Sequence, residues 1–293
     1  MKIDRRDMLK LCAAAAVAAC DQTPLGPPMT KSNRMPVLFV GHGSPMHAIQ
    51  DNVWSRGFAA LGAAIPKPKA VLSVSAHWYD NTNTRLTNNE FPQTIHDFGG
   101  FPQALFDIQY PAPGSPSLAA RVRTILGEER AQLSGEWGLD HGTWTVLKYM
   151  FPNADIPVIQ LSIDARMTIE QHVAMGRELQ ELRDDGVLIF GTGNITHNLR
   201  HAMAQMRQGD PSVPAFSKTF DDEIVTTLTQ RDAANLKTIL GREHGRLSHP
   251  SLDHYVPLLY AFGASDDKDA ITYPVEGFDI GLSMRSVLWT RVT

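Results

Sequence analysis

Residues 36–47 read PVLFVGHGSPMH. The apolar run Pro36–Val40 has the length and composition of a buried strand. It stops at Gly41-His42-Gly43-Ser44-Pro45, where two glycines and a proline bracket one imidazole. Such a turn holds a histidine just past a strand, and in an open α/β sheet ligands bind outside the carboxyl ends of the strands. Helical spacing follows over Ala48–Ala64 (Val53, Trp54, Phe58, Leu61 and Ala64), and Pro66-Lys67-Pro68 ends it. Ala70–Ser75 is a second strand, running straight into Ala76-His77-Trp78. Strand, helix and strand within roughly 40 residues are the signature of a parallel sheet, and they bring a second histidine to the edge that holds His42.

Farther out, Pro157–Ile163 and Gly186–Gly191 repeat the buried-strand pattern, and Met167–Arg183 between them has helical spacing. Further helices are expected over Ser115–Gly127, Thr145–Met150, Phe216–Gln230, Ala233–Leu240 and Val256–Phe262, and Gly281–Thr293 is expected as an edge strand. Phe91–Pro113 reads as a long loop with several aromatics, a length that inside a compact domain usually marks a functional wall or lid. The fold class is therefore α/β: a single domain with a central, largely parallel sheet flanked by helices, and a metal site at the C-terminal edge of the strands.

Of 293 residues, 43% are hydrophobic and 20% charged, with a net charge of −4. That supports a large core and offers no basic segment for nucleic acid. No run approaches the roughly 18 apolar residues of a membrane span. Cys12 and Cys20 are the two cysteines, so residues 34–293 hold no thiolate, and a metal there must take His, Asp or Glu. The first 33 residues read as an export segment and tether. Arg5-Arg6 with Met8-Leu9-Lys10 resembles a twin-arginine signal. Val17-Ala18-Ala19-Cys20 resembles a lipobox, which would put a lipid on Cys20 and the protein at the periplasmic face; the alternative is a frayed helical extension on a cytoplasmic protein.

Eleven histidines carry the chemistry. His42, His77 and His197 each follow a strand closely, and His254 opens a helix, an arrangement that gathers imidazoles at one sheet edge. Neutral imidazole suits Zn and Fe(II). His141, in Asp140-His141-Gly142-Thr143-Trp144, is a further ligand, substrate-contact or acid/base candidate. His47 and His96 rank below it. His172 and His201 are expected on the surface, and His244 or His249 compete with His254 for the last ligand position. No nucleophile elbow, dinucleotide loop or phosphate loop occurs: Gly41-His42-Gly43-Ser44-Pro45 lacks the glycine two residues past the serine, and Gly191-Thr192-Gly193 lacks a third glycine.

GHGSP (41–45), SAHW (75–78), TIHDFGGFP (94–102), YPAPG (110–114), DHGTW (140–144), GNITHNL (193–199) and DHYVPLLY (253–260) stand in one order over about 250 residues, Met35 to Met284. Together they resemble the 4,5-DOPA extradiol dioxygenase family, class III ring-opening dioxygenases related to the catalytic subunit of protocatechuate 4,5-dioxygenase. The resemblance implies one mononuclear non-haem site, Fe(II) or Zn(II), whose histidines match His42, His77 and His254. His197 lies in the same site, as a fourth ligand in some members and as acid/base in the mechanism, and His141 faces the substrate. Ser44, Trp78, Phe98, Phe101 and Trp144 are pocket candidates, with ordinary packing the alternative for the aromatics. Related extradiol enzymes use two histidines and a carboxylate; here the third position is His254 with Asp253 beside it. The reaction implied is insertion of O2 into a catechol-type, DOPA-like diphenol, opening the ring to a semialdehyde. A zinc-dependent hydrolase and a non-catalytic metal-binding lipoprotein are the competing readings of the same histidines.

Overall fold

A computed structural model describes residues 34–292. The proposed export segment and Cys20 lie outside the described residues. The expected first strand is β1 (Val37–Gly41), with all five residues buried. The other strands are β2 (Ala70–Asp80), β3 (Thr84–Thr87), β4 (Ala131–Ser134), β5 (Val158–Asp164), β6 (Val187–Gly193), β7 (Asp269–Thr272), β8 (Phe278–Asp279), β9 (Leu282–Ser283) and β10 (Val287–Arg291). Eight form one sheet in the order β4-β3-β5-β2-β6-β1-β10-β7, and β8 pairs with β9 apart from it.

The centre of the sheet, β5-β2-β6-β1, is parallel throughout. The antiparallel pairs lie toward the margins, where β10 joins β1 and β7, and β3 joins β5. The first two strands are parallel, as their spacing predicts, but β6 lies between them. The C-terminal segment differs from expectation. β10 is an interior strand with a partner on each side, and Trp289 on it is fully buried. An apolar Val287-Leu288-Trp289 run with both edges paired is what a covered position requires.

Alternate residues of each central strand enter opposite cores. Val37, Phe39, Leu72, Val74, Ile159 and Ile189 pack on one face and Leu38, Val40, Val71, Val158, Leu188 and Phe190 on the other. The second face is covered by α1 (Val53–Ala64), through Phe58 and Leu61, and by α3 (His141–Met150), through Trp144, Val146 and Leu147. The first face takes α2 (Pro116–Leu126), α4 (Ile169–Glu178), α6 (Ala215–Thr229) and α7 (Val256–Ala264). A helix absent from the sequence reading, α5 (Leu199–Gln208), is capped by Asn198, whose side chain accepts from the His201 amide. No helix of the described residues is long and apolar enough to cross a membrane. This is a single α/β domain with helices on both faces of a mostly parallel sheet.

His172, expected on the surface, is 1% exposed on α4, with Nδ1 3.3 Å from the Tyr260 hydroxyl. Its neighbours Val173 and Met175 follow the apolar stripe, but helical spacing also turns residue 172 onto α7. Burial, partly opposed by the charge of Asp164, pulls its pKa down to about 4 from 6.5. The unfolded chain therefore binds more protons than the native one between those values, and stability falls as pH drops through that window. The contribution is at most roughly 3 kcal/mol. His172→Phe is expected to narrow the loss of urea-unfolding stability between pH 7 and pH 4 relative to wild type. An identical loss in both proteins would remove His172 from the account.

Candidate active site

Three neighbouring strands deliver the first three histidines. His42 follows β1 directly, His77 sits near the end of β2, and His197 stands four residues past β6. At His77 the pairing of β2 with β5 breaks: Val74 opposes Leu161, yet Tyr79 opposes Ile163. The extra residues form a bulge that re-aims the strand end. His141 begins α3 on one face of the sheet, where Asp140 caps the helix rather than closing a free turn. His254 arrives two residues before α7 on the other face.

The five rings form one cluster. The centroids of His42, His77 and His254 lie 5.0, 5.3 and 5.1 Å apart. His141 is 3.9 Å from His77, and His197 stacks on His254 at 3.4 Å, nearly parallel. Ligand atoms of His42, His77 and His141 lie within 4.8 Å of one another, as do those of His197, Asp253 and His254, so either group could hold a metal ion. The competing late histidines are elsewhere. His244 pairs with Glu223, and buried His249 uses Nε2 on the Ile195 carbonyl. His96 engages the Ile108 carbonyl and His47 engages Asn52 and Asp279.

Four of the rings have an outward partner at Nδ1. The Thr192 hydroxyl donates to the Gly142 carbonyl at 2.7 Å, so its oxygen is left to accept from His42 Nδ1 at 3.0 Å. Asp253 accepts from His254 Nδ1 at 2.7 Å. Asp97 Oδ2 is 2.9 Å from His141 Nδ1 and 3.1 Å from His77 Nδ1, and its Oδ1 accepts from the His141 amide. A neutral imidazole has one donor and one acceptor. With the donors committed outward, the Nε2 lone pairs face the centre, and those of His42 and His77 are 3.1 Å apart. Two lone pairs that close repel unless a cation lies between them. Neighbouring nitrogen ligands at about 2.1 Å from one ion stand about 3 Å apart, so the donor set fits a metal.

Electrostatics keep His42, His77 and His197 uncharged. Burial, reinforced by neighbouring imidazoles, lowers the pKa values of His42 and His77 well below 6.5 and takes His197 to about 2. The carboxylates go the other way. Burial opposes the charge on Asp97 and Asp253, but the bonded histidines outweigh it and hold both below the usual carboxylate range. Asp140 beneath them is pushed up by full burial and by Asp97, and it accepts from Ser75 and Gln160 at 2.7 Å each.

The pocket candidates separate. Phe98 stands 5.4 Å from His141 and touches Phe101 and Phe106, forming an aromatic wall. Trp144 is fully buried behind that wall, with its indole N–H on the Ile95 carbonyl. Ser44 caps the short helix Pro45–Ile49. Trp78 is 3% exposed and stacks on Trp137 rather than on the imidazoles. Asp97, Thr192, Asp253 and Gly142 escaped the sequence reading as working residues, although all four lie in or beside the quoted motifs.

An α/β sheet with a parallel centre and five convergent imidazoles at its carboxyl edge defines an enzyme whose polar site is built chiefly from histidine, with carboxylates beside it. The family described as the catalytic LigB subunit of aromatic ring-opening dioxygenase matches residues 35–278, and the chain belongs to it; the protein is an oxygenase. A 4,5-DOPA dioxygenase extradiol of Escherichia coli K12 is 47% identical over 261 residues, 87% of this chain and 95% of that protein. One of Beta vulgaris is 34% identical over 264 residues, 86% and 95% respectively. The crystal structure of an uncharacterized Escherichia coli K12 protein superposes with a TM-score of 0.75 at 42% identity, covering 87% of this chain and 99% of that one.

Gly142 gives a test of how tightly the cluster is packed. A Cβ there would lie 2.8 Å from His77 Cδ2 and from Ser75 Oγ. Helix propensity alone favours Gly142→Ala by about 1 kcal/mol. Overpacking costs about 1–3 kcal/mol, and the two ring-holding neighbours cannot retreat without breaking their bonds. Urea unfolding of Gly142→Ala is expected to show a net loss of up to about 2 kcal/mol; a gain would mean the cluster yields freely.

Proposed function

We propose that this oxygenase is a metal-dependent extradiol dioxygenase acting on a catechol-type aromatic, a DOPA-like diphenol, with O2 as co-substrate and a ring-opened semialdehyde as product. The observation that carries this reading is the 3.1 Å approach of His42 and His77 Nε2, each turned inward by an outward Nδ1 partner. His42, His77 and His254 would hold one mononuclear ion, with Fe(II) favoured over Zn(II) by the need to activate O2. An Fe(II) held there would supply an electronic path between the diol and O2. The names of the Escherichia coli and Beta vulgaris relatives support the choice of substrate class.

The chain's own residues account for protons and for the environment. His197 stands in the imidazole cluster as the base of this reading, taking a phenolic proton at a ring nitrogen. Its stacking on His254 fixes that nitrogen at the site. His141 keeps Nδ1–H on Asp97 and presents Nε2 to the substrate oxygen. The Asp97 contact sets the tautomer and the ring plane, as carboxylates behind a catalytic imidazole do. Phe98 and Phe101 form an apolar wall beside His141 that excludes water from the ring's surroundings. A dry, apolar wall strengthens each electrostatic contact inside.

The chain loaded anaerobically with Fe(II) is expected to consume O2 with a catechol panel and give yellow semialdehyde products, and the Zn(II)-loaded chain is not. His42→Ala is expected to lose stoichiometric metal and at least 100-fold in activity while its circular dichroism stays native. Full metal content in that variant, or absence of O2 uptake with every diphenol, would overturn the assignment.

A further inference from the structure

A cleft of about 340 Å³ opens beside His77, lined by Trp78, Tyr79, Asp80, Arg85, Ser134, Glu136 and Trp137. Its wall is an indole pair: Trp78 and Trp137 stack at 5.3 Å and 12°. The Arg85 guanidinium lies over Trp78, 5.4 Å from the ring centroid, and its side chain is 26% exposed. Two of the acceptors in the cleft, Asp80 and Ser134, are already used. Asp80 Oδ1 takes the Thr82 amide and hydroxyl, and Oδ2 takes Arg85 Nη2. Ser134 Oγ takes the Glu136 amide, and the Glu136 side chain lies at the exposed rim. Donors are left over. Arg85 Nε and Trp137 Nε1 are both buried with no acceptor among the described residues. Native proteins rarely leave one such donor unmet, and this cleft holds two.

We propose that this cleft is the recognition subsite for the ring substituent of the aromatic substrate, and that Arg85 and Trp137 read a carboxylate on it. This rests on the ring-opening reading above. A carboxylate brings acceptors and no donor when ionised, which matches the leftover chemistry of the wall. The planar guanidinium, steadied on Trp78 and tethered at one nitrogen by Asp80, is pre-organised for it. His77 belongs both to the imidazole cluster and to the lining of the cleft, so a ring at the cluster can send a short side chain along the indoles. Arg85 and Trp137 are thereby specificity residues, remote from the reacting atoms.

The test compares a carboxylic acid with its own ester. A monophenol cannot be opened as a diol, so 3-(4-hydroxyphenyl)propanoate and its methyl ester report binding alone, by calorimetric titration of the full metal-loaded chain. Wild type is expected to bind the acid at least tenfold more tightly than the ester. Arg85→Gln and, independently, Trp137→Phe, which keeps the stack and removes the N–H, are each expected to reduce that preference at least fivefold. In turnover, the ratio of kcat/KM for 3-(3,4-dihydroxyphenyl)propanoate over its methyl ester is expected to fall at least tenfold in Arg85→Gln. Equal affinity of wild type for acid and ester, or an unchanged ratio in both variants, overturns the subsite even where catechols are opened. Acid preference lost in the variants, with no catechol opened, sustains the subsite and removes the ring-opening reading instead.

Discussion

Two imidazole nitrogens with their lone pairs aimed at one another across 3.1 Å are the constraint on which the rest of this edge depends. Left alone the pair is repulsive, and either ring would swing away or gain a proton. Burial blocks the proton, because a charged imidazole in that setting loses its hydration. The outward hydrogen bonds block the swing. Thr192 shows how completely the choice is made: its one proton is spent on the Gly142 carbonyl, so His42 must donate from Nδ1 and offer Nε2 inward. The site is thus pre-organised by partners that never touch the centre.

Sheet order makes that arrangement affordable. With β6 inserted between β1 and β2, His42, His197 and His77 leave three adjacent strands at the same edge. The helices then close the ring from above and below. Backbone contacts hold the seams: the His42 amide donates to the Gly193 carbonyl and the Asn194 amide to the His254 carbonyl, both at 3.0 Å. A Cβ at Gly193 would fall 2.2 Å from that His254 oxygen, so residue 193 is glycine for close approach rather than for a turn.

Much of this was legible in the sequence. Buried strands announce themselves as short apolar runs, and a histidine one or two residues beyond such a run has few places to be other than the sheet edge. That logic found His42 and His77, an expected helix start found His254, and His141 stood out only through the Asp140–Trp144 motif around it. It had less to say about what lies behind them. Asp97 sits in a loop with no periodicity, 44 residues from the histidine it holds, and nothing local marks a carboxylate as a bond to a distant ring. His172 fell to the opposite error: a polar residue on an amphipathic helix reads as solvent-facing unless its partner, here Tyr260 on α7, is known. Short β3 and β4 and the interior place of β10 depend on long-range pairing, which four- and five-residue segments do not encode alone.

The long segment 91–113 shows why position matters more than mobility here. Its length suggests a wall or a lid, and its bonding makes it a wall. Ile95 and Leu139 exchange main-chain bonds with their surroundings at 2.7 Å, Trp144 fixes the Ile95 carbonyl from beneath, and Tyr110 is tied to Thr94 and Phe151. At Gly99-Gly100 the backbone stands clear, with nothing within 4 Å of where a side chain would begin. Asp97 lies just before that free tip, on the anchored side. A carboxylate that sets two rings at once cannot ride on a moving element, because a shift of about 1 Å is enough to misplace a catalytic group. The anchors that turn the loop into a wall are therefore part of the same device that aims His77 and His141. Phe98, next along the chain, reaches His141 from the boundary between the fixed part and the free one.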